Sequence, residues 1–250
     1  MPAALWRRLV DRAHDLAPRT LFVAETLGCA PEAVDALAAA GFDYFYNSSK
    51  WWDGVAAWCL EQHERFRRIA PSISFPESHD TPRLCAETGG SEAVQRQRYA
   101  LAAVFSAGLQ ITMGYEFGFC RRLDVVATRP GDWEESRFDL GPFIRRVNGL
   151  KARHPLLVGE GVLRRLDWRA PDVTVLRRWA DDAGTHRGVV LMNRSTTAAR
   201  EVAVDPGELG SAARLFRLCR DAAPVHGDPV LPVVRLDPAE VAILMDPVWP

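Results

Sequence analysis

The first 155 residues alternate between helical and strand-like hydrophobic patterns. Apolar residues spaced by three or four over residues 5–16 predict an amphipathic helix, which ends before Pro18. The next segment, TLFVAE at residues 20–25, is short and almost entirely apolar, which predicts a strand buried on both faces. The alternation continues with predicted helices over 30–41, 55–69, 91–106 and 140–153, and with predicted strands over 42–48, 72–78 and 109–118.

Buried strands that are each followed by a helix favour a parallel sheet with right-handed crossovers, and four such β/α units are visible. The pattern changes after Pro155, where short segments of alternating polarity are separated by Gly, Pro and Asp. These segments, at 162–168, 173–180, 188–196, 200–205, 213–219 and 240–246, are typical of an antiparallel β-sandwich. The sequence therefore predicts an α/β domain over residues 1–155 and an all-β domain over residues 156–250.

Composition and charge exclude several classes of protein. The chain has 250 residues, 48% of them hydrophobic, and a formal net charge of −1, and it contains no run of like charges. These values predict a globular protein and no binding to nucleic acid or to an anionic membrane. No apolar run approaches the roughly 20 residues of a membrane span, and the N-terminal segment lacks the apolar core of a signal peptide. We therefore expect a cytoplasmic protein.

The five cysteines are odd in number, far apart in sequence and never in a C-x-x-C pair. This spacing predicts neither a disulfide framework nor a zinc site. We expect the five thiols to be reduced, with the cysteines acting as small, partly buried residues.

Polar and aromatic residues gather where the predicted parallel strands end. Functional side chains of β/α folds collect at the carboxyl ends of the strands, because the loops there surround one crevice. Acidic residues end three of the four strands and aromatic residues end two, a set that suits glycosidic chemistry, in which carboxyl groups transfer protons and stabilise positive charge. The residues concerned are Glu25 after the first strand, Tyr46 and Asn47 after the second, Glu77, His79 and Asp80 after the third, and Tyr115 and Glu116 after the fourth.

Three segments resemble the α-amylase superfamily, glycoside hydrolase family thirteen. LFVAE, FPESHD and GLQITMGYEFG are similar to the fifth, seventh and eighth barrel-strand motifs of that family. The pattern F-x-x-x-H-D is present as Phe75, His79 and Asp80, with Glu25 lying 55 residues before Asp80. The resemblance covers essentially the whole chain and implies half of a (β/α)8 TIM barrel, strands five to eight, followed by the C-terminal β-sandwich.

The resemblance also implies an activity, that of a retaining α-glucan glycoside hydrolase or transglycosylase acting on an α-glucan or maltooligosaccharide without a cofactor or metal. Glu25 takes the place of the general acid/base, Asp80 that of the transition-state stabiliser, and His79 that of its hydrogen-bonding partner at the same sugar. The predicted substrate-binding residues are Tyr46, Asn47, Trp51, Trp52, Glu77, Arg83 and Glu116.

Each role has a structural alternative. Glu25 could cap the following loop, His79 could be a core histidine, and Trp51 and Trp52 could pack over the barrel rim. Glu77 and Glu116 could hold loops through hydrogen bonds instead of contacting substrate.

The family's nucleophile is an Asp in a G-x-R-x-D motif on the fourth barrel strand, which would precede the helix at residues 5–16. Arg122 and Asp124 have the same spacing but follow the eighth-strand motif, so we interpret them as part of an acceptor-side loop. Three explanations stay open: a truncated or misassigned gene start, a separate chain that carries the first barrel half, or a remnant with another use.

Two further interpretations concern function. MGYEFGF and TRPGDWE resemble the branch of the family that moves maltosyl units from maltose 1-phosphate onto glucan, although no residue separates transfer from hydrolysis. The alternative to an enzyme is a catalytically inactive glucan-binding or scaffolding module. A doubly wound nucleotide-binding fold is disfavoured, because no Gly-rich phosphate loop follows any predicted strand.

Overall fold

A computed structural model describes residues 2–221 and 226–247 of the chain. The first part of the chain alternates between helices and short strands, as the hydrophobic pattern predicts. The α-helices are α1 (Ala3–Leu16), α2 (Pro31–Asp35), α3 (Trp58–Phe66), α4 (Leu84–Glu87), α5 (Glu92–Phe105), α6 (Gly141–Arg153) and α7 (Pro155–Val158). The strands between them are β1 (Val23–Ala24), β2 (Tyr44–Tyr46), β3 (Ser72–Ser74) and β4 (Gly108–Leu109).

Strands β1 to β4 form one sheet in the order β1-β2-β3-β4, and all neighbours are parallel. Every strand is shorter than predicted, and the difference is largest for the apolar run at 109–118. There Gly114 and Gly118 adopt left-handed backbone angles, with φ of 89° and 68°, on either side of a 3-10 turn at Tyr115–Phe117. The chain therefore leaves the sheet soon after Leu109, because these backbone angles do not fit an extended strand.

The described helices cover only one face of the parallel sheet. Ala24 and Phe45 point to that face and pack with Val34, Phe66 and Ala70 of the helical layer. The strand neighbours of these two residues point to the opposite face, where Val23 is 41% exposed and Tyr44, Tyr46 and Ile73 are half-buried. Leu21, just before β1, is 66% exposed. This arrangement is unusual, because parallel sheets are normally covered on both faces.

The second part of the chain consists of antiparallel sheets. Its strands are β5 (Val162–Arg165), β6 (Val173–Trp179), β7 (Arg187–Asn193), β8 (Arg200–Ala203), β9 (Arg214–Arg217), β10 (Asp228–Pro229), β11 (Val233–Leu236) and β12 (Val241–Met245). Six of them form a sheet in the order β10-β9-β12-β7-β6-β5, and β11 pairs with β8. The antiparallel pattern is as predicted, but β10 and β11 were missed. Pro229 and Pro232 interrupt their hydrophobic pattern, as is common for short edge strands.

The six-stranded sheet is buried on both faces. One face packs on the pair β8 and β11, with Val175 and Leu191 against Val202 and Val234. The other packs on the helical layer, where Val190 and Ile243 join a cluster with Ala100, Val104 and Leu156. All five residues of β12 are therefore buried. Because this core continues across residue 156, the division into domains 1–155 and 156–250 stays a prediction.

Two basic side chains, the buried Arg178 and the half-buried Lys151, bind carbonyl oxygens at the C-terminal end of α5 and in the connection around α7. Arg178 of β6 donates hydrogen bonds to the carbonyl oxygens of Leu156, Phe105, Glu160 and Gly159 at 2.6–3.2 Å. Lys151 of α6 donates to the carbonyl oxygens of Ala103, Ser106 and Leu157 at 2.6–2.9 Å. Burial lowers the pKa of Arg178 to about 10 and that of Lys151 to about 7. The last carbonyls of a helix lack intrahelical partners and carry partial negative charge, so both contacts stabilise this junction.

A buried carboxylate anchors the start of the parallel strands nearby. Glu160 accepts hydrogen bonds from the backbone N–H of Ser72 at 2.8 Å, the Ser72 hydroxyl at 2.5 Å and the N–H of Ala107 at 2.9 Å, and it lies 3.3 Å from Nδ1 of His63. Burial alone would raise the pKa of Glu160, but the interactions with His63, Ala107 and Ser72 outweigh it and hold the pKa below its usual range.

Across the described residues, the helices are too short or too polar to cross a membrane.

Replacing Arg178 by Met should lower the free energy of unfolding by about 3 kcal/mol or more, because four carbonyl oxygens, two of them on buried residues, lose their donor. Urea denaturation would measure the change. Arg164→Met on neighbouring β5 is the matched control. The Arg164 side chain is mostly exposed, and its ion pair with Glu64 is long, with 3.9 Å between the nearest nitrogen and oxygen atoms. We expect this control to change stability by less than about 0.5 kcal/mol. Equal midpoints for the two variants would contradict the role of Arg178.

The stabilising effect of Glu160 should depend on pH. Because its pKa is lower in the folded state, its contribution is fully present above the unfolded pKa and is lost as the pH falls through the folded pKa. Glu160→Gln should therefore be less stable than wild type at pH 7, and the difference should shrink below about pH 4. Urea midpoints measured from pH 7 to pH 3 test this, with the exposed Glu61→Gln as control. A difference that stays constant over this range would rule the explanation out.

Candidate active site

The carboxyl ends of the four parallel strands meet at one edge, and Glu25 and Tyr46 lie there on the open face of the sheet. Burial, followed by the charge of Glu25, raises the pKa of the Tyr46 phenol. The Tyr46 hydroxyl donates a hydrogen bond to Oε1 of Gln110, which follows β4. The side chain of Glu25 is exposed, and within the described part of the chain its carboxylate makes no hydrogen bond or ion pair. The structure thus gives no support to the alternative in which Glu25 caps the following loop.

Three aromatic residues, Tyr46, Trp51 and Phe75, border this edge and are called the aromatic ledge below. The buried ring of Phe75 supports Tyr46 and Trp51, with ring centroids at 5.8 and 6.0 Å and interplanar angles of 77° and 88°. Trp51 is 52% exposed. An exposed aromatic face next to carboxylates can bind the apolar face of a sugar ring.

Two predicted substrate-binding residues lie inside the protein. Trp52 has no exposed surface, its Nε1–H donates to the carbonyl oxygen of Ala56 at 2.8 Å, and its ring centroid is 5.8 Å from that of Phe105. Asn47 is buried and donates from Nδ2 to the hydroxyls of Ser72 and Ser74 at 2.8 and 2.9 Å. The structure therefore favours packing for Trp52 and a buried hydrogen-bond network for Asn47, because neither side chain is accessible to a ligand.

Glu77 and Arg83 form a buried ion pair within the segment between β3 and α4, and Arg83 connects this segment to the loop that follows β4. Nη1 of Arg83 lies 2.7 Å from Oε1 of Glu77, whose other oxygen accepts the N–H of Leu84 at 2.7 Å. Arg83 also donates to the carbonyl oxygens of Met113 at 2.8 Å and Arg121 at 3.1 Å. Burial raises the pKa of Glu77, and the interactions with Arg83 and Leu84 oppose that rise. These contacts fit the alternative in which Glu77 holds a loop through hydrogen bonds. Arg83 likewise makes its hydrogen bonds within the protein.

Glu116 also contacts its own loop. Its Oε2 accepts the N–H of Gly114 at 3.0 Å, and its backbone carbonyl accepts the N–H of Leu140 at 2.8 Å. Glu116 is half-buried, and these two bonds stabilise the turn that follows β4.

His79 and Asp80 are exposed beside a surface depression. Their side chains are 47% and 70% exposed, and Nε2 of His79 lies 3.2 Å from Oδ2 of Asp80. This exposure does not fit the alternative of a core histidine. The depression has a volume of about 480 Å³ and is lined by His79, Asp80, Arg122, Leu123, Asp124 and Val125.

The Arg122 and Asp124 pair has a local structural explanation. Oδ1 of Asp124 accepts the N–H groups of Val126 and Ala127, each at 2.8 Å, so this carboxylate stabilises a turn. Arg122 donates to the carbonyl oxygen of Asp80 at 3.3 Å, which brings the loop beside the His79 and Asp80 pair.

Sequence reasoning missed Gln110 and the supporting role of Phe75. A signal was present for Gln110, since it is the first polar residue in the apolar run at 109–118. Within the described part of the chain, no group of three or more His, Cys, Asp or Glu side chains could hold a metal ion.

Comparisons with known proteins give a consistent result. No protein-family model matches the sequence. The chain is 33% identical over 192 residues to the α-1,4-glucan:maltose-1-phosphate maltosyltransferase of Burkholderia pseudomallei strain K96243, a match that covers 73% of this chain and 17% of that protein.

Solved α-amylase structures match almost the whole chain. The α-amylase of H. orenii superposes with a TM-score of 0.74 at 15% identity, and the acarbose complex of the Geobacillus thermoleovorans α-amylase with 0.71 at 18% identity. Each match covers 98% of this chain and 57% of the other chain. The predicted resemblance to the α-amylase superfamily is confirmed, and the chain has the mixed α/β and antiparallel fold of the C-terminal part of these α-amylases.

Replacing Arg83 by Met should lower the free energy of unfolding by about 3–5 kcal/mol, because Glu77 would keep a buried charge without a partner. In Glu77→Gln/Arg83→Met much of this loss should be recovered, which urea denaturation of both single variants and the double variant would show. Arg65→Met is the control, since its pair with Asp35 is exposed and should contribute less than about 1 kcal/mol. Additive effects of the two substitutions would contradict the coupling.

Proposed function

We propose that the chain is the C-terminal part of a retaining α-glucan enzyme, in which β1 to β4 and their helices form half of a (β/α)8 barrel. The observation that carries this proposal is the exposed carboxylate of Glu25, which has no hydrogen bond or ion pair among the described residues and lies on the same strand edge as His79, Asp80 and the aromatic ledge. The match to the superfamily supports it.

In this proposal Glu25 protonates the oxygen that joins the anomeric carbon to the leaving group, which in maltose 1-phosphate is phosphate, and later takes the proton of the acceptor hydroxyl. Asp80 binds ring hydroxyls as positive charge develops at the anomeric carbon, with His79 hydrogen-bonded to the same sugar. Trp51 and Tyr46 contact an adjoining glucose unit. Glu77, Arg83 and Glu116 act indirectly, by holding the loops that carry or border these groups.

The nucleophilic Asp that a retaining mechanism requires would lie on a complementary barrel half, either covalently continuous with this chain or on a separate chain. Two observations support such a half. The open face of the parallel sheet leaves Val23 and Leu21 exposed, and the chain spans 57% of the α-amylases it matches.

The identity to a maltosyltransferase favours transfer over hydrolysis as the reaction. The substrates we propose are therefore maltose 1-phosphate as donor and an α-1,4-glucan as acceptor, both taken from the name of that relative. A cytoplasmic location stays a prediction.

Glu25→Gln tests the acid/base role. The chain would be co-produced with the segment that precedes the matched region in the B. pseudomallei protein, which in this proposal supplies the first barrel half. Phosphate release from maltose 1-phosphate in the presence of glucan should fall about 100-fold or more, because the amide cannot transfer the proton. Glu32→Gln, on the exposed start of α2, is the matched control and should retain the rate.

Glucan binding by the chain, measured as retardation in a glucan-containing gel, should be kept by Glu25→Gln and weakened by Trp51→Ala. An unchanged rate for Glu25→Gln would exclude its catalytic role. Glucan binding without phosphate release in any combination would favour the binding-module alternative.

A further inference from the structure

Trp133 is an exposed aromatic residue in the long loop between β4 and α6. Its side chain is 53% exposed, which matches the 52% of Trp51 in the aromatic ledge. Tryptophan carries a large apolar surface and gains much by burying it against a ligand. An exposed tryptophan can bind a ligand tightly only if the protein holds the ring in one orientation, so the packing of Trp133 decides what it can do.

Two phenylalanine rings hold the indole of Trp133. The ring centroid of the buried Phe119 lies 4.9 Å from that of the indole, at an interplanar angle of 86°. The ring of Phe117 lies 6.2 Å away at 59°, and the two phenylalanine rings contact each other with centroids 6.0 Å apart. Such contacts are favourable for aromatic pairs. The indole therefore has a fixed orientation, although about half of its surface is exposed.

The residues on both sides of Trp133 are bonded to the chain that follows Phe119. Glu134 accepts the N–H groups of Cys120 and Arg121 at 3.0 and 2.7 Å. Asp132, on the other side of Trp133, forms an ion pair with Nη1 of Arg121 at 2.5 Å. The loop is thus closed on itself at the position where it presents the indole.

The same loop forms one wall of the depression beside His79 and Asp80. Arg122 lines this depression and donates a hydrogen bond to the carbonyl oxygen of Asp80 at 3.3 Å. The preceding residue, Arg121, carries the ion pair to the residue before Trp133. The indole is therefore connected to the wall of the depression through one ion pair.

The groups next to the indole suit a sugar. The side chains of Arg121 and Asp132 are 61% and 36% exposed, and they can donate to and accept from hydroxyl groups. The flat aromatic ring suits the apolar face of a glucose unit. Because the charges of Arg121 and Asp132 are opposite, they favour an uncharged ligand with many hydroxyl groups over a charged one.

We propose that Trp133 is a second binding platform for the α-glucan, separate from the aromatic ledge and away from the bond that reacts. The identity of the ligand rests on the proposed function. The proposed donor, maltose 1-phosphate, has only two glucose units, which the catalytic groups and the aromatic ledge contact, so the Trp133 platform acts on the glucan acceptor. A long chain that is held at two points binds more tightly than one held at a single point, because the second contact becomes intramolecular.

Hydroxyl-radical footprinting of the wild-type chain tests the platform directly, since radicals oxidise exposed indole rings. Trypsin releases residues 123–137 as one peptide, in which Trp133 is the only tryptophan. A soluble α-1,4-glucan should reduce oxidation of Trp133 about threefold or more, whereas maltose at the same glucose concentration should not. The exposed Trp58 at the start of α3 is the control, and its oxidation corrects for radicals that the glucan consumes.

Variants test the same contact through affinity. In a glucan-containing gel, Trp133→Ala should weaken binding about threefold to tenfold, and Trp133→Phe should keep most of it because an aromatic ring remains. Trp58→Ala is the matched control and should bind as wild type does. In the enzyme reconstituted with the complementary barrel half, Trp133→Ala should raise KM for a long glucan by a similar factor. It should leave kcat and KM for maltose 1-phosphate unchanged.

The platform and the proposed function fail on different results. Phosphate release that does not depend on Glu25 would contradict the proposed function, whereas protection of Trp133 by glucan requires no turnover. Undiminished oxidation of Trp133 in the presence of glucan would overturn the platform, and this measurement needs no variant that must fold. Equal weakening by Trp133→Ala and Trp58→Ala would overturn it too, because the effect would then not be specific to this loop.

Discussion

The buried guanidinium of Arg178 connects the antiparallel sheet to the helical layer. It lies on β6 of the antiparallel sheet, yet its hydrogen bonds reach the end of α5 and the connection after α7. Glu160 lies on the same connection and binds the backbone at the start of β3 and just before β4. This buried cluster fixes where two parallel strands begin, and so it also positions the loops at their opposite ends.

Burial divides the carboxylates of the candidate site into two groups. Glu77 is enclosed and has a partner for each oxygen, as a buried charge requires, and its interactions are all within the protein. Glu25 and Asp80 are left exposed at the same edge, where a ligand could reach them. The buried pair holds the segment that carries Asp80, and in the proposed function it keeps this carboxylate in a fixed position.

The parallel sheet differs from the antiparallel sheet in how its faces are covered. Residues of β12 are buried on both sides by two separate clusters, whereas Val23 and Leu21 stay exposed on the open face of the parallel sheet. Apolar residues on an uncovered sheet face indicate a surface that other protein would cover. In the proposed function, the complementary barrel half covers this face.

Most helices and strands, the change from parallel to antiparallel structure and the family resemblance could be predicted from the sequence, although β10 and β11 could not. These features depend on local periodicity and on short motifs, such as the one formed by Phe75, His79 and Asp80, whose residues are close together in the chain. Which side chains at the strand ends are accessible depends on the tertiary structure. Trp52 and Trp51 are adjacent in sequence, yet one packs in the core and the other is exposed, because burial depends on distant residues such as Phe105 and Phe75.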